Sequence, residues 1–302
     1  MPNWNELLNE VKALGSAYDV LRRRYLSQLH EVTKRNIIVY CSGWLQKQGV
    51  PGAGINDEDK NGFMNAVNGL DRSLGLDLVL HTPGGETAAT ESLVDYLRQM
   101  FNGDIRAIVP QLALSGGTMI SCACKSILMG KQSSLGPVDP QFNGIPAHGV
   151  LEEFNRAYDE IRADQSKIPV WQPIIAKYSP AFIGECQKAV SWSETLVREW
   201  LATGMLAQDD KRAEKIDRIV EELTNHALSL SHARHLSPAT CIEMGLRVDM
   251  LENNQKLQDA VLSLHHVYML TMSQTAAFKI IENHKGAAFI KAAQVQIVQS
   301  GG

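Results

Sequence analysis

Two short apolar strands each run into a glycine turn that opens a helix, and this repeat constrains the fold more than any other feature of the chain. Leu76-Asp77-Leu78-Val79-Leu80-His81 passes into Thr82-Pro83-Gly84-Gly85, after which Leu93, Tyr96, Leu97 and Met100 recur at helical spacing. A second strand, residues 105–109, leads through residues 110–114 into Ser115-Gly116-Gly117 and a helix of small residues, before a further strand at residues 126–129. Strands that alternate with helices predict an α/β fold with a parallel sheet, because parallel neighbours need a crossover between them. The sheet begins earlier, at Ile37-Ile38-Val39-Tyr40, a run rich in β-branched residues.

Around this centre the sequence predicts three regions. Residues 1–35 form an N-terminal helical arm, with Leu7, Leu8, Val11 and Leu14 near helical spacing. Residues 36–251 form the main domain and residues 252–302 a C-terminal helical extension. Within the domain, residues 56–70 read as a helix capped by Asn56 or Asp57. Residues 131–149 form a loop punctuated by Gly136, Pro137, Pro140 and Pro146. Helices then occupy residues 150–230, one of them over 181–205 with Trp192, Leu196, Val197, Trp200 and Leu201 on one side. Ser237 caps another helix, with Pro238 in its first turn.

Composition narrows the function. Of 302 residues, 44% are apolar and 21% charged, the proportions of a chain that folds throughout. Net charge is -4 with dispersed basic residues, which gives nucleic acid no electrostatic footprint. Cys41, Cys122, Cys124, Cys186 and Cys241 are odd in number and lack metal-finger spacing, so they read as reduced, partly buried thiols and no metal site is expected. The N-terminus shows no basic region followed by an apolar core, and no apolar run reaches the ~20 residues that span a bilayer, which leads to an expected cytoplasmic location.

Two glycine turns at the same edge of a parallel sheet bring backbone N–H groups and positive helix ends together, where they can hold a developing oxyanion. The Gly85 and Gly116 N–H groups are the candidates, and loss of one such donor costs ~3 kcal/mol in a transition state. Taken singly, Pro83-Gly84-Gly85 could be an ordinary turn and Ser115 an ordinary helix cap. Together they set a serine in a small-residue crook that permits strained dihedrals and close approach of a substrate.

Three segments in order, His81-Thr82-Pro83-Gly84-Gly85, Ala113-Leu114-Ser115-Gly116-Gly117-Thr118 and the run from Met129-Gly130-Lys131 to Val138-Asp139-Pro140, resemble the serine dehydrogenase proteinase family. That family is allied to signal peptide peptidase A and the caseinolytic protease in the Clp/crotonase superfamily. The resemblance covers residues 37–251. It implies a Clp/crotonase-like fold of repeated ββα units, a serine peptidase with Ser115 as nucleophile, Gly85 and Gly116 as oxyanion hole, and a trimer-based homo-oligomer acting on peptides or proteins.

The general base is less directly indicated. Val138 stands near the position where the caseinolytic protease carries its histidine, whereas relatives of signal peptide peptidase A use a lysine made neutral by burial. Lys125 and Lys131 lie beyond the nucleophile's helix, and Lys167 lies on a polar stretch. Lys188, four and eight residues before Trp192 and Leu196, borders an apolar face and is the preferred base, with Lys177 and His148 as alternatives. Asp139 is assigned no catalytic role, and His265-His266 reads as helix surface and core. No Gly-x-Gly-x-x-Gly follows a strand and no lysine context demands pyridoxal phosphate, so no cofactor is expected. Two other readings use the same edge: an acyl-thioester enzyme without a serine nucleophile, and a non-catalytic oligomeric adaptor.

Overall fold

A computed structural model describes residues 18–142, 144–224 and 234–293. In chain order its strands are β1 (Asn36–Ser42), β2 (Leu76–His81), β3 (Ile105–Val109), β4 (Leu112–Ala113), β5 (Ser126–Met129), β6 (Ser134–Leu135), β7 (Gln141–Phe142), β8 (Ile145–Pro146), β9 (Val248–Met250), β10 (Ala277–Asn283) and β11 (Ala288–Ala292). Seven of them make the central sheet, ordered β11-β10-β1-β2-β3-β5-β9. The five from β1 to β9 run parallel, while β10 joins β1 antiparallel and β11 joins β10 antiparallel.

Every residue of β1 and β2 is buried, as expected of parallel strands with helices on both faces. On one face Leu78, Leu80, Ala107 and Val109 meet Leu93 and Leu97 of the helix Thr87–Met100 and Leu196, Val197 and Trp200 of the helix Phe182–Thr203. On the other, Val39, Cys41, Val79 and Ile108 meet the helices Tyr18–Thr33 and Gln255–Gln274. The N-terminal arm is thus a packed layer over its described part, and residues 1–17 of that expectation lie outside the described residues. The five cysteines are free and all buried.

Three local expectations change. Over its described part the extension after residue 251 is helical to Gln274 and then returns as β10 and β11 at the edge of the sheet, and residues 294–302 of that expectation lie outside the described residues. Charged residues hide β10 in the sequence, yet Lys279 pairs with Asp59 at 2.8 Å and Glu282 with Arg22 at 2.8 Å, so both are buried with their partners. Trp192 does not share the buried side of its helix, being 40% exposed while Leu196, Val197, Trp200 and Leu201 are buried. The helix expected over residues 56–70 is Asp59–Val67, with Glu58 rather than Asn56 or Asp57 at its cap. Asn56 Oδ1 instead accepts the Glu58 N–H in the turn that enters it. Of the helices expected over residues 150–230, the stretch 225–230 lies outside the described residues. Ser237 does cap its helix, accepting the Thr240 N–H.

Behind the sheet edge, the buried His81 ring lies 4.4 Å from Trp44 and 5.1 Å from His265, centroid to centroid. Desolvation lowers its pKa from 6.5 to about 3, and burial beside His30 lowers that of His284 to about 4. Unfolding returns both to the ordinary value, so the unfolded chain binds more protons between pH 6.5 and 4 and stability falls as pH falls through that window. The expected slope is up to about 1.4 kcal/mol per pH unit for each histidine. Urea midpoints at pH 7 and pH 5 check it: equal midpoints, or a His81→Phe variant with an undiminished slope, would contradict the assignment.

Candidate active site

The two glycine turns meet because Thr82 ties them together. Beyond the end of β2, the Thr82 N–H donates to Leu112 O (3.1 Å) and the Leu114 N–H donates to Thr82 O (3.0 Å), which lays the chain before Ser115 alongside the chain before Gly84. The contact is closest at Gly84, where an added Cβ would lie 2.6 Å from the Ser115 Cβ and 2.9 Å from Gly116 N. Gly117 is equally constrained, since a Cβ there would meet Thr82 Cγ2 at 2.6 Å. These glycines are required by close approach, Gly84 against the chain around Ser115 and Gly117 against the Thr82 side chain.

Ser115 has φ 49° and ψ -111°, a combination that side-chain-bearing residues avoid at a cost of about 1–3 kcal/mol. It precedes the helix Gly116–Cys122, but its hydroxyl makes no capping hydrogen bond. The ordinary role of a serine at that position is therefore not the one it plays. Among the described residues, neither the Gly85 N–H nor the Gly116 N–H donates to a backbone acceptor. Gly116 is buried, where donors without acceptors are scarce, while Gly85 is exposed at the cleft, so both N–H groups beside the strained serine are left for an acceptor from outside the backbone.

The third sequence segment completes one wall. Ser133 Oγ accepts the Gly130 N–H and donates to Val109 O, which closes the turn after β5. Thr118, on the nucleophile's helix, accepts the Gly136 N–H at 3.0 Å and lies 2.8 Å from Gly136 O. The following Val138, Asp139 and Pro140 are thereby carried to the wall of a cleft of about 960 Å³ that Ser115 also lines. Met119, Phe142 and Trp192 make much of its surface apolar.

Lys188 also lines this cleft, on the helix Phe182–Thr203. Its side chain is 77% exposed and Nζ sits 3.1 Å from Glu185 Oε1, so the desolvation expected from its sequence position is absent in the single chain. The helix turns its apolar residues to the sheet and leaves Lys188 toward solvent. Lys177 is exposed in the turn after the helix Ile168–Ile175 and does not line the cleft. His148, second residue of the helix Ala147–Ala163, lines a separate cavity with Glu152, Glu194 and Arg198. Lys167 pairs with Glu160, and Lys125 with Asp104.

Sequence reasoning missed three contributors. Asp139, assigned no catalytic role from the sequence, is buried on the cleft wall, and Ser193, one turn beyond Ala189 on the Lys188 helix, is buried there too. Ile55 donates its N–H to Gly84 O (2.7 Å) and accepts the Glu86 N–H (2.9 Å), which makes residues 54–56 a brace for the first glycine turn. Pairing with a segment 30 residues away leaves no local sequence signal. Among the described residues, no group of three or more His, Cys, Asp and Glu side chains is placed to hold a metal, and no helix is long and apolar enough to cross a membrane.

The chain is similar to two curated proteins. The uncharacterized protein MJ1495 of Methanocaldococcus jannaschii is 28% identical over 195 residues, covering 65% of this chain and 59% of its own length. The uncharacterized protein MJ0137 of the same organism is 33% identical over 114 residues, covering 38% of this chain and 40% of its own. The matches thus span about half the length of these curated relatives. No solved structure gives a significant match. The family profile of ClpP-like SDH-type serine proteinases matches residues 19–286, from the first described helix past the end of β10, and the chain belongs to that family.

Proposed function

We propose that the protein is a serine peptidase that cleaves peptide bonds through an acyl-enzyme on Ser115, with Lys188 as general base and the Gly85 and Gly116 N–H groups as oxyanion hole. The observation that carries this reading is the strained Ser115, its hydroxyl free of capping, facing a cleft that Lys188 also lines. Ser115 Oγ attacks the scissile carbonyl carbon as its proton passes to the Lys188 amine, and the oxyanion settles on the two N–H groups. The tetrahedral species collapses, the C–N bond breaks, and the leaving amine takes the proton back. Water then attacks the ester by the same route and releases the acid. A peptide filling the cleft covers Lys188 and supplies the dry surroundings that a lysine base requires.

The apolar surface from Met119, Val138, Phe142 and Trp192 suits an extended peptide with apolar side chains. Peptide or protein substrates and a trimer-based homo-oligomer belong to this reading on the strength of the family alone, and a cytoplasmic setting on the sequence pattern alone. The test is labelling by a fluorophosphonate, with the adduct located by mass spectrometry. A single adduct on Ser115 is the expected result, and an unlabelled, folded protein would refute the nucleophile. Lys188→Met is expected to slow labelling and hydrolysis by about 10²–10⁴-fold, the usual worth of a general base. Wild-type rates in that variant would remove Lys188 from the mechanism.

A further inference from the structure

We propose that Lys279, Asp59 and Tyr40 form a buried positioning device for the oxyanion turn, acting through Ile55; this rests on the reading of Gly85 as an oxyanion donor. Lys279 lies on β10, and its side chain is fully buried together with Asp59 and Tyr40. Its Nζ lies 2.8 and 2.9 Å from the two Asp59 oxygens and donates to Gly54 O at 2.6 Å. Tyr40 donates its hydroxyl to Asp59 Oδ2 at 2.8 Å, and the same oxygen accepts the Asn56 N–H at 3.1 Å.

These bonds end on the two peptide groups that flank Ile55. The Gly54 carbonyl is held from behind by Lys279 and the Asn56 amide by Asp59, while Ile55 itself bonds the Gly84 carbonyl and the Glu86 amide in front. Gly85 therefore sits between two bonds that both lead back to Ile55. The fit is close, since a Cβ on Gly85 would lie 2.2 Å from Ile55 N. Ile55 also reaches the second half of the site: its Cδ1 would lie 3.2 Å from a Cβ on Gly116.

A buried ion pair is weak evidence for a stabilising role, because apolar side chains of similar volume often replace one without loss. What apolar side chains cannot replace here is the direction in which the charges hold two backbone groups. Any shift of residues 54–56 moves the Gly85 N–H relative to Ser115, and a misplacement of about 1 Å in a catalytic group costs on the order of 10²-fold in rate. The device also gives β10 a reason to be part of the sheet.

The test compares wild type, the double variant Asp59→Leu/Lys279→Met and the mild variant Tyr40→Phe. Three readouts are taken: kcat and KM on an unfolded protein substrate, the rate of fluorophosphonate labelling at Ser115, and hydrogen exchange across residues 82–88. The double variant, folded by circular dichroism, is expected to lose on the order of 10²-fold in kcat and labelling rate with little change in KM, and to exchange faster across residues 82–88. Tyr40→Phe is expected to show the same pattern at a few-fold. Wild-type kcat, labelling and exchange in a folded double variant overturn the proposal. If the double variant does not fold, unchanged rates and exchange in Tyr40→Phe overturn it. If wild type shows no labelling at Ser115, the oxyanion reading has failed, and exchange alone then decides whether the trio holds the turn.

Discussion

Ser115→Ala is expected to abolish fluorophosphonate labelling and to lower peptide hydrolysis by about 10⁶-fold, the scale on which removal of a serine nucleophile acts in serine peptidases. The fold should be untouched. Ser115 Oγ caps nothing, and the alanine keeps the Cβ that already fits beside Gly84. The alanine also keeps the backbone strain, because φ 49° with ψ -111° is unfavourable for any residue with a Cβ. Ser115→Gly should therefore be equally inactive yet melt higher than Ser115→Ala, since glycine adopts this conformation at little cost. Thermal melts of the two variants against wild type read this directly. A glycine variant less stable than the alanine one would mean that the strain is not there, and hydrolysis by either variant would favour the thioester reading or another nucleophile.

Gly84→Ala is the second large effect. Gly84 has φ 97°, where a Cβ costs about 1–3 kcal/mol in strain. The added methyl would also lie 2.6 Å from the Ser115 Cβ and 2.8 Å from Leu114 O, and overpacking of this kind costs a further ~1–3 kcal/mol. Together the expected loss is about 2–6 kcal/mol of stability. What the fold cannot absorb it passes to the site, because the clashing atoms belong to the nucleophile and its neighbours. Turnover should fall by at least about 10²-fold even at temperatures where the variant is folded. A denaturant melt together with single-turnover labelling separates the two losses. A variant that is stable and fully active would show that the turns do not need to touch.

What is legible in the sequence follows the range of each interaction. β2, β3 and β5 stand at the positions their apolar runs predict, and Ser237 caps its helix, because these signals lie within a few residues of one another. Helical spacing groups Trp192 with the buried residues of its helix although it is half exposed, because spacing defines a face without saying where its border falls. β10 read as helix because Lys279 and Glu282 break its apolar pattern, and their partners, Asp59 and Arg22, are more than 200 residues away.

For the site, the sequence by itself determined the parts: a serine between glycines, a second glycine turn, and a third segment to wall them in. Such parts are local, since glycine content, turn chemistry and strand pattern are properties of neighbouring residues. Only the tertiary structure decided their relations. It laid Gly84 against Ser115 through Thr82, set Lys188 on the lining of the cleft but exposed beside Glu185, sent His148 to another cavity, and placed Ile55 behind Gly85. Each relation joins segments far apart in the chain, and the free energy that fixes it comes from burial and from hydrogen bonds that form only when the sheet and its helices close around them.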